Sequence, residues 1–133
     1  MNKYIIYTDG GSRGNPGKAA VGVVIGEKKY GDYIGETTNN VAEYRALIFA
    51  LKKAKMLLGK NAKISDLEIR ADSELLIKQL NGEYKIKDEN LKDLFIEVWN
   101  LKQDFNSVVF KHIPREKNKE ADLIVNKILD SAD

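Results

Sequence analysis

Apolar residues change their period along this chain, and the order of the changes admits few folds. Residues 3–8 form a β-branched and aromatic run that reads as a strand, ended by Asp9-Gly10-Gly11. Residues 12–18 hold Gly14, Pro16 and Gly17 and read as a loop. Residues 20–25 are short and apolar, residues 30–38 alternate loosely, and 26–29 between them suit a hairpin turn. Over 41–58 the period becomes helical, with Tyr44, Leu47, Ile48, Leu51, Ala54 and Leu58 on one side and Gly59 placed as a C-cap. Residues 67–71 read as a strand and 73–80 as a short helix stopped by Asn81-Gly82. Asp88 is placed to cap a helix bearing Leu91, Leu94, Phe95, Val98, Leu101 and Phe105. Residues 108–113 are a last strand closed by Pro114, and Asn118 is placed to cap a final helix that turns Ala121, Ile124, Val125 and Ile128 inward.

The succession is β-β-β-α-β-α-α-β-α. A hairpin meander followed by right-handed crossovers predicts an α/β fold, with a mixed sheet and helices on its faces. The 133 residues suit one domain spanning 1–133, with 59–65 a loop inside it. The chain has no Cys, which excludes disulfides, thiolate metal sites and Cys nucleophiles. No run approaches the roughly 20 apolar residues of a membrane span, and the start lacks a signal-peptide pattern. A cytoplasmic protein with no membrane partner is expected. The net charge of +2, from 22 basic and 20 acidic residues, argues neither for nor against a polyanionic ligand.

Four acids stand where one element hands over to the next: Asp9, Glu43, Asp72 and Asp122. Each has a local explanation. Asp9 before Gly10 suits a turn. Glu43 completes a capping box with Asn40 as N-cap. Asp72 suits an N-cap, and Asp122 the first turn of a helix, where the dipole favours an acid. Yet parallel pairing of the first and fourth strands would bring Asp9 and Asp72 together. Burying several acids side by side is costly unless cations neutralise them. With one His and no Cys, oxygen ligands point to Mg²⁺ or Mn²⁺ rather than zinc. The segment SRGNPGK is not a phosphate-binding P-loop, because Ser12 stands where its first Gly belongs and no Ser or Thr follows Lys18.

DGGSRGNPG at 9–17, TTNNVAEYRAL at 37–47, ADSELLIKQLNG at 71–82 and NKEAD at 118–122 together resemble the type 1 ribonuclease H family, in order and over nearly the whole chain. The resemblance implies the ribonuclease H-like fold: a five-stranded mixed sheet, three antiparallel strands then two parallel, flanked by helices. It implies an endoribonuclease that cuts the RNA strand of RNA–DNA hybrids and leaves 5′-phosphate and 3′-hydroxyl ends. Asp9, Glu43, Asp72 and Asp122 would hold two divalent metal ions, Mg²⁺ or Mn²⁺. Gly10, Gly11, Asn15, Asn39 and Asn40 would meet the hybrid, whose minor groove exposes 2′-hydroxyls. Double-stranded RNA is a second candidate substrate, and a monomer is expected.

The chain departs from the family pattern in three places. The basic projection that holds the hybrid in many members is missing, since residues 82–87 (GEYKIK) lead straight into the Asp88 helix; Lys85 and Lys87 are a small substitute, beside apolar anchors Tyr84 and Ile86. The only His, His112, sits in a strand end without the glycines of a mobile loop, and reads as structural. Glu74 stands where many relatives have Gln. Arg115 and Lys117 are candidate phosphate contacts, with plain surface charge as the alternative. Two rival functions share these features: a non-catalytic hybrid- or duplex-RNA-binding module, and another nuclease of the same fold. A binder gains nothing from four acids beside a phosphate backbone.

Overall fold

The structure, a computed structural model, describes residues 2–132, so positions 1 and 133 of the expected unit lie outside the described residues. Its elements are β1 (Asn2–Gly14), β2 (Gly17–Ile25), β3 (Lys28–Thr37), α1 (Asn39–Leu58), β4 (Ser65–Ala71), α2 (Glu74–Leu80), α3 (Glu89–Lys102), β5 (Ser107–His112) and α4 (Lys119–Asp130). Short 3-10 turns occupy Gly59–Ile64 and Arg115–Lys117. The five strands form one sheet in the order β3-β2-β1-β4-β5. The β3-β2-β1 part is antiparallel, and β4 and β5 run parallel to β1. This is the expected mixed sheet.

The main difference from the sequence expectation is the length of β1. It does not end at Asp9-Gly10-Gly11, and residues 12–18 are not a loop. The antiparallel ladder with β2 continues to the pair Gly14↔Gly17, and only Asn15-Pro16, joined by a cis peptide bond, turns the chain. The glycines that mark turns in a local reading here leave room for neighbouring backbone, so Asp9 sits inside a strand and is not a turn residue.

Helix starts differ by one or two residues, with consequences for the acids. The Thr38 side chain caps α1 by accepting from the Val41 N–H at 3.3 Å, so Asn40 is not the N-cap and Glu43 is in no capping box. Ser73, not Asp72, caps α2, its hydroxyl accepting from Leu76 N–H at 3.3 Å. Asp88 caps α3 as expected, accepting from Asn90 N–H at 2.9 Å. Asn118 precedes α4, but its side chain makes no capping hydrogen bond. The Gly59 N–H closes α1 on the Lys55 carbonyl, as expected of a C-cap. In the short α2–α3 connection Ile86 is partly buried against the core, whereas Tyr84 is exposed and lies against Lys78, so only one of the two expected apolar anchors packs inward.

The core lies between the sheet and α1, with α3 behind α1. Ile6, Val23, Leu47, Leu51, Ile69 and Val98 belong to it. On the other face α4 crosses β2, β3 and β1, and Val125 and Leu129 meet Ala20. That helix sits very close to the sheet. A Cβ on Gly22 would lie 2.6 Å from the Ala121 carbonyl oxygen and 3.0 Å from Ile124 Cβ. Gly22→Ala therefore should push α4 outward and lower stability by about 1–3 kcal/mol, read as a lower urea midpoint. An unchanged midpoint would show that the helix yields freely.

Candidate active site

The site forms where β1 and β4 part. Their parallel register ends at Tyr7↔Arg70, and beyond it β1 is paired with β2 alone. Asp9 lies two residues past that point, and Asp72 follows the last residue of β4. Gly10 lets the α1 backbone touch the strand: a Cβ there would lie 2.1 Å from the Ala42 carbonyl oxygen. That contact carries Glu43 to the edge of β1. Side chains alternate along a strand, so Asp9 faces the opposite side from Gly10. There α4 presents Asp122 from its first turn. The four acids line one open cavity of about 350 Å³, together with Gly10, Gly11, Asn39 and Arg115.

Their proximity has an electrostatic cost. Burial, then the charges of Asp72, Asp122 and Glu43, push the Asp9 carboxyl from 3.8 to about 8, and it shares a hydrogen bond with Asp122. Burial pushes Glu43 from 4.5 to about 7, aided by the Asp72 charge and opposed by a hydrogen bond from Ser73. Without a cation, the polypeptide supports full ionisation of this set poorly. Among the described residues no group of three or more His, Cys, Asp or Glu is arranged as a cage for a metal ion. Mg²⁺ needs no such cage, because it keeps several waters and takes one or two carboxylates plus substrate phosphate oxygens. A cavity whose candidate ligands are carboxylate oxygens, four acids against Arg13 and Arg115, fits that mode of binding.

The other expected residues divide. Asn15 and Asn39 brace each other's segments: Asn15 Oδ1 accepts from Asn39 N–H at 3.0 Å, and Asn39 Oδ1 accepts from Ser12 N–H at 3.2 Å. Each amide thereby spends its oxygen on the scaffold and keeps its NH₂. Asn40 is exposed in the first turn of α1 and does not line the cavity. Arg115 lines the cavity, but Lys117 does not. His112 is exposed at the end of β5, its Cα opposite Ala71, and also lies outside the cavity. Glu74 faces solvent and pairs with Lys78 at 3.1 Å.

Three residues were missed by the sequence reading. Arg13 and Asn126 line the cavity. Asn126 Nδ2 donates to Asp122 Oδ2 at 3.2 Å, while Arg13 Nη2 donates to Asn126 Oδ1 at 3.4 Å and pairs with Asp130 at 2.6 Å. The spacing of Asn126, four residues after Asp122 on one helix, could have identified it. Arg13 carried no local signal. The third is Asn118, whose buried amide donates to Thr8 O at 2.9 Å and Asp72 Oδ2 at 3.3 Å.

Comparison with known proteins follows the same lines. Residues 7–128 match a family described as reverse transcriptase-like. The chain is 42% identical over 132 residues to Ribonuclease HI of Halobacterium salinarum, covering 95% of this chain and 64% of that relative. The chain thus spans under two thirds of that relative's length. A crystal structure of RNase H1 from the same halophilic archaeon superposes with a TM-score of 0.89 at 41% identity, covering 98% of this chain and 100% of that one. A structure of LC11-RNase H1 in complex with an RNA/DNA hybrid superposes with a TM-score of 0.91 at 48% identity, covering 97% and 98% of the two chains.

The raised carboxyl makes a prediction for the metal-free protein. Folded Asp9 keeps its proton up to about pH 8, whereas an unfolded chain releases it near the ordinary 3.8. The folded state binds more protons across that window, so this group's contribution to stability is lost as pH rises through it. Asp9→Asn removes the penalty. In chelator-treated protein at pH 8 it should raise the melting temperature by about 3–5 °C, with no gain below the ordinary carboxylate range. A variant melting no higher than its parent at pH 8 contradicts the crowding.

Proposed function

Because this chain belongs to the type 1 ribonuclease H family, we infer that it is a metal-dependent endoribonuclease cutting the RNA strand of RNA–DNA hybrids. The observation that carries this reading is the convergence of Asp9, Glu43, Asp72 and Asp122 in one cavity. The solved relative that holds an RNA/DNA hybrid supports the choice of substrate. The same four acids are proposed as holders of two divalent ions, Mg²⁺ or Mn²⁺. When bound, such ions supply a lowered water pKa and neutralise charge on the scissile phosphate and the departing 3′-oxygen. Cleavage would leave 5′-phosphate and 3′-hydroxyl ends.

The chain's own groups have definite parts in this scheme. The four acids supply negative charge that attracts cations and would repel phosphate in their absence. Arg115, on the cavity wall, offers a guanidinium to a phosphate oxygen. Arg13 is held by Asp130 and Asn126, so its part is to brace Asn126 against Asp122. Gly10, Gly11 and Asn39 line the same cavity, and their backbone and the Asn39 NH₂ are the groups proposed to meet the RNA minor groove. Asn15 and Asn40, from adjoining segments, are proposed to extend that contact. His112 is assigned no part, since its side chain lies outside the cavity. The described fold carries the whole proposed site, so positions 1–133 read as one catalytic unit, acting as a cytoplasmic monomer. Double-stranded RNA is proposed as a second, weaker substrate.

Asp72→Asn should reduce Mg²⁺- or Mn²⁺-dependent hybrid cleavage by at least about 10³-fold while leaving the circular dichroism spectrum unchanged. Substantial residual turnover would sink the assignment. With only Lys85 and Lys87 in the short α2–α3 connection, hybrid affinity should be modest and fall steeply with salt. A binding constant that hardly moves between low and high salt would contradict phosphate-dominated recognition.

A further inference from the structure

We propose that Asn118 is a positioning residue that holds three of the four acid-bearing segments in register. The inference rests on the reading of these acids as metal holders. Asn118 is 1% exposed and sits just before α4. Its Nδ2 donates to the Thr8 carbonyl at 2.9 Å, one residue before Asp9, and to Asp72 Oδ2 at 3.3 Å. Its own carbonyl accepts from the Asp122 N–H at 3.1 Å. One residue thus touches the strand of Asp9, the side chain of Asp72 and the backbone of Asp122.

The need for such a residue follows from the sheet. Past Tyr7↔Arg70, β4 no longer accompanies β1. The Asn118 amide satisfies the Thr8 carbonyl at the point where the parallel ladder has stopped. The orientation of the amide is dictated by charge: the flipped form would set its oxygen against a carbonyl and a carboxylate. In the orientation adopted, Asn118 Oδ1 is buried with no hydrogen-bond partner among the described residues. Leaving a buried acceptor unmatched is unfavourable, and a side chain serving only to fill space has no use for it. A helix cap does not explain the residue either, because its side chain caps nothing. What remains is the amide NH₂ between two segments that must stay apart in sequence and together in space.

The test combines Mn²⁺ alone titrated calorimetrically into substrate-free protein with steady-state cleavage of an RNA–DNA hybrid. Asn118→Leu keeps roughly the volume and loses the donor without adding charge; Asn118→Ala loses both volume and donor. Both should weaken Mn²⁺ binding and lower kcat by about 10–100-fold, with KM within about a factor of two. Val98→Ala, a core change in α3, should match their loss of melting temperature with Mn²⁺ binding and kcat unchanged. In the parent protein, the Asn118 side-chain amide signals should be protected from solvent exchange, unlike those of exposed Asn90, and should shift on addition of Mg²⁺. Asn118 variants that bind Mn²⁺ and turn over like the parent overturn the proposal, as does an Asn118 amide indifferent to Mg²⁺. A parent that binds no Mn²⁺ at all overturns the metal reading itself and this inference with it.

Discussion

Repulsion among four acids at one end of the sheet is the interaction on which the rest of this structure depends. Asp9 and Glu43 are driven far above the ordinary carboxylate range by burial and by their acidic neighbours. A chain under no demand but stability would not bring such groups together. The surrounding architecture can be understood as the means of holding them in place. Gly10 admits the α1 backbone against β1, and Gly22 admits α4 against β2. Each close approach delivers one acid, Glu43 from the first and Asp122 from the second.

Hydrogen bonds between distant segments then lock the arrangement. Asn15 and Asn39 tie the β1–β2 turn to the start of α1. Arg13, Asn126 and Asp130 tie the same hairpin to α4. Asn118 joins α4 to both parting strands. These braces surround the cavity while the apolar core lies deeper, between the sheet and α1. The bracing contacts and the bulk of the apolar core therefore occupy different parts of the fold. That division is what permits a core change such as Val98→Ala to serve as a control for a site change.

Much of this was legible in the residues. The helical period of α1 and α3 and the alternation of the strands reflect burial on one face, a demand that each segment expresses locally. The four acids were also legible as candidates, through their junction positions and the motifs around them. The misassigned details were local competitions with more than one eligible residue. Thr38, Asn39 and Asn40 are all good N-caps, as are Asp72 and Ser73, and adjacent residues differ too little in capping preference for sequence to choose. The stretch after Asp9 reads as loop because Gly and Pro mark turns, whereas β2 recruits it into a ladder.

By itself the sequence determined the order of elements, the faces they bury and the chemical character of the candidate site: carboxylates at element junctions, no thiols, and only Lys85 and Lys87 in the α2–α3 connection. Those properties depend on residue type and short-range spacing. Tertiary structure alone decided that the acids converge, that Ser73 and Thr38 take the caps and leave Asp72 and Glu43 for the cavity, and that Arg115 faces the site while His112 and Lys117 do not. It also decided the role of Asn118, which reads as a helix cap in sequence and instead meets Thr8 from 110 residues away. The physical reason is range: capping and periodicity act within a turn or two, whereas the site is made by pairings between segments that meet only once the sheet is assembled.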